Sequence, residues 1–167
     1  MIFIIFFFIV SPLIIYFSMK ILFKTPIPVA VIKSNSMNPY LRKGDLVIVK
    51  GIESGNSIKD GSNVDKDGDI IVFNASGLWE KAPKEPIVHR VVEKWKNGSV
   101  WYFRTKGDAN PKVDPSAIPE DRILGIVKRV IPYVGWGKIV LMQISFIIQI
   151  EYTFFRILTK KSIYFKI

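Results

Sequence analysis

Two serines in a polar turn could supply a nucleophilic hydroxyl group. The stretch from Ser34 to Pro39 (Ser-Asn-Ser-Met-Asn-Pro) lies between two apolar runs, Ile27–Ile32 and Leu46–Lys50. Its Asn-Pro step favours a turn, because proline moves the preceding residue out of the helical region. A serine acts as a nucleophile only when a base takes its proton. Without such a base, a pair of hydroxyls like this one is usually a capped turn.

The chain contains one histidine and several aspartates that could complete such a site. His89 lies within the apolar run Ile87–Val92, and a free imidazole, with a pKa of about 6.5, suits proton transfer at neutral pH. Its second nitrogen would need an acceptor, and Asp108 and Asp114 follow in a later loop. Each group also has a structural interpretation, since strand histidines are usually structural and loop aspartates commonly form Asx turns or caps.

Short strands separated by turn signals must position these groups. The polar stretch Gly51–Gly68 and the proline-containing stretch Gly107–Asp121 are predicted loops, and the Asn-Gly step at residues 97–98 predicts a hairpin. The predicted strands are Ile27–Ile32, Leu46–Lys50, Asp69–Phe73, Ile87–Lys94, Val100–Lys106 and Ile123–Ile131. Residues 24–138 are therefore predicted to form one small, mainly β domain.

Composition excludes several function classes. The net charge of +10 falls to +4 when Lys20, Lys24 and all residues from Lys138 onward are set aside. No run of lysines and arginines with interleaved aromatics occurs in the middle of the chain, so no nucleic-acid binding is predicted. The chain has no cysteine, which excludes disulfides, cysteine-ligated metals and thiol catalysis. We expect no metal and no cofactor.

The first 23 residues are predicted to be a transmembrane anchor. No charged residue occurs from Met1 to Met19, and about 20 helical residues cross the roughly 30 Å hydrocarbon core of a bilayer. A cleaved signal peptide is the alternative. The absence of a charged n-region and of an Ala-x-Ala-like site before the first strand counts against it.

Residues 139–158 are predicted to be a second membrane segment. The apolar run Ile139–Ile150 is too short to cross a bilayer unless two charged residues, Glu151 and Arg156, are included. Both a second span and an interfacial amphipathic helix are therefore considered. If the segment spans, the basic tail 159–167 lies in the cytoplasm and the middle domain lies outside. Two lysines at the end of the first segment point weakly the other way.

Taken together, four stretches in this order resemble the ordered boxes of type I signal peptidases. They are Ser34–Pro39, Gly68–Phe73, Ile87–Val91 and Thr105–Asn110, with Asp114 and Ile123–Gly125 following. The resemblance covers roughly residues 27–132. Where the bacterial branch has a lysine, this chain has His89, which resembles the archaeal and endoplasmic-reticulum branch.

The resemblance implies a membrane-bound serine endopeptidase with a β-rich catalytic domain on the extracytoplasmic side of the cell membrane. Such enzymes cleave signal peptides from secretory preproteins after small residues at −1 and −3. By this resemblance Ser36 is the nucleophile, His89 the base, Asp114 the acid that acts with them and Asp108 a supporting acid. The hydroxyl of Ser34 and the amide of Ser36 would form the oxyanion hole. The expected partners are preproteins and the lipid bilayer, and accessory subunits are left open.

Two other functions are considered. A repressor-like, self-cleaving peptidase would use a serine–lysine pair and be soluble. Lys84 and Lys94 flank His89 in sequence, but Lys94 lies near a hairpin turn, where the deep burial needed to neutralise a lysine is not expected. A membrane-tethered β-module that binds a partner without catalysis is the other candidate, and the presence of Ser36, His89 and Asp114 counts against it.

Overall fold

One antiparallel sheet of seven strands forms the centre of the computed structural model. The structure describes residues 2–62 and 65–137, with side chains from residue 10 onward. A helix, α1 (Ile2–Leu22), precedes the sheet, and single-turn 3-10 helices occur at Gly55–Ser57 and Glu120–Arg122. The strands are β1 (Val29–Val31), β2 (Leu46–Lys50), β3 (Ile70–Phe73), β4 (Ile87–Asn97), β5 (Val100–Lys106), β6 (Ile118–Pro119) and β7 (Ile123–Ile131). Their order in the sheet is β1-β2-β7-β3-β4-β5-β6. The prediction of a small, mainly β domain is confirmed.

The strand boundaries follow the turn signals, with four differences. The smallest is that the third strand begins at Ile70, one residue after the predicted start. The first strand begins only at Val29, because Pro26 and Pro28 have no N–H to donate to a ladder. β4 continues to Asn97, and the hairpin loop is Gly98-Ser99, where Gly98 has a φ of +60°. The predicted loop Gly107–Asp121 contains β6, whose Ile118 pairs with Phe103 of β5.

The sheet carries a core cluster on each face, and β3 contributes to both. Ile71 and Phe73 pack in the first cluster, while Ile70 and Val72 pack in the second, as the two-residue period of a strand requires. All four residues are buried. Because Ile71 pairs with His89 in the β3–β4 ladder, the histidine is held beside the most deeply buried strand of the sheet.

The residues that follow helix α1 connect it to the rest of the domain. The Thr25 hydroxyl donates to the Leu124 carbonyl at 2.6 Å, and the Gly51 N–H donates to the Phe23 carbonyl at 2.8 Å. Lys24 hydrogen-bonds to Glu53 at 2.9 Å, and this bond and the lysine charge lower the pKa of the Glu53 carboxyl.

Within the described part of the chain, no helix has both the length and the apolarity needed to cross a membrane. The predicted second segment, residues 139–158, and the basic tail, residues 159–167, lie outside the described residues.

Candidate active site

Two buried apolar side chains anchor the serine turn to the core of the domain. Met37 and Leu41 are 1% and 0% exposed and belong to the second core cluster. The backbone closes on itself, with the Leu41 N–H donating to the Met37 carbonyl at 2.9 Å. This anchoring leaves Ser34 exposed and Ser36 half-buried at the surface of the domain.

A chain of hydrogen bonds connects the serine turn to His89 and Asp114. Nε2 of His89 lies 3.1 Å from Oγ of Ser36, and Nδ1 lies 2.7 Å from Oδ2 of Asp114. The Ser34 and Ser36 hydroxyl oxygens are 3.1 Å apart. The His89 and Asp114 side chains are only 8% and 9% exposed. The structure thus brings together four of the five predicted site residues, in the geometry that lets an imidazole accept a serine proton.

The fifth predicted residue, Asp108, contacts an arginine instead of the histidine. Its two carboxylate oxygens accept from Nε and Nη2 of Arg90 at 2.9 and 2.8 Å, and both side chains are nearly fully buried. Arg90 also donates to the Gly68 carbonyl at 2.8 Å, and the Tyr40 ring lies 4.8 Å from its guanidinium carbon.

Asp108 reaches the serine turn through its own loop. The N–H of the next residue, Ala109, donates to the Ser36 carbonyl at 2.8 Å. The Arg90–Asp108 pair therefore holds a loop that is hydrogen-bonded to the backbone of Ser36.

Two residues of the site were not among the predicted site residues, although both lie in the stretches that carry the family resemblance. Thr105 is fully buried, and its hydroxyl donates to Oδ2 of Asp114 at 2.5 Å. Its position, two residues after the buried Phe103 on β5, is the signal that could have identified it as an inward-facing polar group. Arg90 could have been identified as a charge inside an apolar strand, because a buried arginine requires a partner.

A cleft of about 640 Å³ lies beside Ser36 and His89. One wall is formed by residues 27–37, from before β1 to the serine turn, and the other by Pro83 and residues 85–89, which lead into β4. Tyr16 of α1 also lines it. Most lining side chains are aliphatic, so the cleft suits an extended apolar segment. Among the described residues, no group of three or more histidine, aspartate or glutamate side chains could hold a metal ion.

Comparison with known proteins gives consistent matches. Residues 2–135 match the family described as "Signal peptidase, peptidase S26". The chain is similar to the signal peptidase complex catalytic subunit SEC11 of Pyricularia oryzae (32% identity over 126 residues) and of Colletotrichum graminicola (33% over 126 residues), each match covering 71% of this chain and 66% of the relative. The subunit of Fusarium vanettenii is 30% identical over 132 residues, 75% of this chain and 70% of the relative. The match thus spans just under two thirds of the length of the first two relatives.

Proposed function

Because this chain belongs to the signal peptidase family, peptidase S26, we propose that it is a membrane-associated serine endopeptidase that removes signal peptides from secretory preproteins. The family match confirms the prediction made from the ordered sequence boxes, in its endoplasmic-reticulum-type branch. The observation that supports the activity best is the hydrogen-bond chain Ser36–His89–Asp114, with distances of 3.1 and 2.7 Å.

In this proposal His89 is the general base and Ser36 the nucleophile. Nε2 of His89 takes the hydroxyl proton while Oγ of Ser36 attacks the scissile carbonyl, and the same proton then passes to the leaving amine. A water molecule, deprotonated by the same nitrogen, releases the acyl group from Ser36. Asp114 keeps the Nδ1 proton on the side away from the serine and stabilises the imidazolium that forms during each step.

The hydroxyl of Ser34 and the amide of Ser36 form the oxyanion hole in this proposal. Support comes from the position of Ser34, whose hydroxyl oxygen lies 3.1 Å from the nucleophilic oxygen. Removing such a donor costs about 2–4 kcal/mol of transition-state stabilisation. Ser34→Ala should therefore lower kcat at least tenfold while leaving KM and thermal stability nearly unchanged. A smaller loss would remove Ser34 from the oxyanion hole.

We further propose that residues 1–23 anchor the chain in the bilayer and that the domain of residues 24–138 lies on the extracytoplasmic side. Because no described helix has the length and apolarity of a membrane span, the anchor rests on the sequence from Met1 to Met19, which contains no charged residue. Anchoring raises the concentration of a membrane-inserted substrate near the site. Residues 139–158 then return to the membrane, with the basic tail 159–167 in the cytoplasm.

Protease added to the outside of intact, right-side-out vesicles tests this topology. It should cut the exposed part of the loop Gly51–Gly68 and spare an epitope placed in the tail 159–167. Cleavage of the tail in intact vesicles would mean that the second segment does not span.

The decisive test of the activity compares wild type with Ser36→Ala. The full chain, solubilised in detergent, is incubated with a radiolabelled preprotein and with a peptide containing the same cleavage site. Wild type should release the mature product, and Ser36→Ala should not, with an unchanged circular dichroism spectrum. Product formation by Ser36→Ala at a similar rate would refute the proposed function, and absence of cleavage by both proteins would favour a binding module.

Two lysine variants test the serine–lysine alternative. Lys94 donates to the Ile58 carbonyl at 2.6 Å, and Lys84 is exposed, whereas Ser36 contacts His89. Lys84→Ala and Lys94→Ala should keep wild-type cleavage rates, and His89→Lys should lose them. If either lysine variant lost all cleavage, that lysine and not His89 would be the general base.

A further inference from the structure

An ion pair connects the two walls of the cleft close to the catalytic groups. Nζ of Lys33 lies 3.1 and 3.0 Å from the two carboxylate oxygens of Glu85. Lys33 immediately precedes Ser34, and Glu85 lies four residues before His89. Both line the same cleft as Ser36 and His89. The pair therefore lies within the cleft that reaches Ser36 and His89.

The contact is long-range within the sheet. Three strands, β2, β7 and β3, separate β1 from β4 in the strand order, so Lys33, after β1, and Glu85, before β4, meet only because the sheet curls. The Ser36–His89 hydrogen bond joins the same two walls. A substrate segment that reaches Ser36 thus lies between walls that carry one cation and one anion.

These are the only two formally charged residues, apart from a histidine that can take up a proton, among the side chains found to line the cleft in the described part of the chain. The remaining surface is mostly aliphatic, so a charged substrate side chain finds few other polar partners in the cleft. While Lys33 and Glu85 are paired, their charges cancel. A charged substrate side chain gains one partner only by leaving the other unpaired.

We propose that Lys33 and Glu85 are specificity-determining residues that form a charge filter, favouring substrates whose segment in the cleft is uncharged. This inference rests on the proposed peptidase activity. The side chains of the pair are 49% and 71% exposed, and exposed pairs contribute at most about 1 kcal/mol. Substrate can therefore displace the pair without a large barrier, and the filter should be modest, about two- to fivefold in kcat/KM.

Removing one partner should give the cleft a preference of defined sign. Lys33→Met leaves Glu85 unpaired, so substrates with a lysine in the cleft should gain relative to those with a glutamate. Glu85→Gln leaves Lys33 unpaired, and the preference should reverse. The double variant Lys33→Glu/Glu85→Lys restores a neutral pair and should recover the wild-type profile.

The experiment measures kcat/KM of the full-length protein in detergent for sets of peptides that differ at one residue. Glutamine, glutamate or lysine is placed in turn at each residue before the cleavage site, apart from the residues at −1 and −3. At one or more positions, the lysine-to-glutamate ratio should shift about two- to fivefold in opposite directions for Lys33→Met and Glu85→Gln. High salt should reduce both shifts.

A second exposed ion pair provides a matched control. Nζ of Lys59 lies 3.0 Å from Oδ2 of Asp67, and this hydrogen bond lowers the pKa of the Asp67 carboxyl, but neither residue lines the cleft. Lys59→Met should leave all ratios unchanged. If Lys33→Met and Glu85→Gln change every peptide by the same factor, or leave the ratio as in wild type, the charge filter is wrong. The glutamine peptides test the proposed function separately. If wild type does not cleave them, or if Ser36→Ala cleaves them equally well, the peptidase activity itself is refuted.

Discussion

Replacing each of the two aspartates of the site by asparagine should affect a different property, kcat for Asp114 and thermal stability for Asp108. Asp114 faces the imidazole at 2.7 Å, and Asp108 faces a buried guanidinium at 2.8 and 2.9 Å. Asparagine has nearly the same shape as aspartate but no charge. Asp114→Asn should therefore remove charge from the proton-transfer step, whereas Asp108→Asn should remove it from the packing of the domain.

The cost of Asp114→Asn follows from the distance between the charges. The amide oxygen can still accept the Nδ1 proton, but it cannot stabilise the imidazolium by charge. For charge centres about 4 Å apart at an effective dielectric constant near 20, the lost interaction is about 4 kcal/mol. That corresponds to roughly a 10³-fold lower kcat. If the amide instead turns its NH₂ towards Nδ1, the imidazole takes the wrong tautomer and the loss is at least as large.

The cost of Asp108→Asn appears in stability. The Arg90 and Asp108 side chains are 6% and 3% exposed, and removing one partner of a buried pair costs about 3–5 kcal/mol. The Tm should fall on the order of 10 °C. At a temperature where this variant is folded, its kcat should fall by less than about a hundredfold, because Asp108 acts on Ser36 only through the backbone of its loop.

The assay pairs thermal unfolding by circular dichroism with cleavage of a quenched fluorescent peptide by the full chain. Glu93→Gln is the control, because its pair with Arg104, at 3.0 Å, is about half exposed on both sides and should affect neither measurement. The reasoning is refuted if Asp114→Asn keeps more than a tenth of the wild-type kcat, or if Asp108→Asn unfolds at the wild-type temperature.

Three further substitutions test one contact of the site and two contacts elsewhere in the domain. Thr105→Val removes the buried donor to Asp114, and the loss of a hydrogen bond to a charged group, about 1.5–3 kcal/mol, should lower kcat about tenfold or more. Gly44→Ala places a methyl 2.1 Å from the Trp136 ring at a φ of +93°, so urea unfolding should show a loss of about 1–3 kcal/mol. Lys94→Ala removes a hydrogen bond to a loop carbonyl and should change Tm by a few degrees at most, with the cleavage rate unchanged.

Local signals in the sequence were sufficient for several strands. Leu46–Lys50, Val100–Lys106 and Ile123–Ile131 have the predicted bounds, because each is an apolar or alternating run that ends in glycine, proline or a charged turn. The strand order was not predictable in this way. β7 pairs with both β2 and β3, and these contacts join residues far apart in sequence, for which no single window of the chain gives a signal.

The candidate site likewise contains features that local sequence predicts and features that depend on the fold. The residue types of Ser36 and His89 could be recognised locally, together with two candidate aspartates in one loop. Which carboxylate faces the ring depends on how that loop returns to the sheet, where the Asp114 N–H donates to the Thr105 carbonyl at 2.8 Å.

The geometry around position 89 also explains why the type of base and the acid beside it are coupled. Imidazole has two nitrogens on opposite edges, and His89 uses one towards Ser36 and the other towards Asp114, which Thr105 holds in place. A lysine carries a single nitrogen, so it cannot bridge the serine and the carboxylate in this way. It would also be held charged by an aspartate at that distance, whereas a catalytic lysine must lose its proton. Asp114 and Thr105 thus favour a histidine base and oppose a lysine base. His89→Lys should therefore show no cleavage at neutral pH unless Asp114 is also replaced.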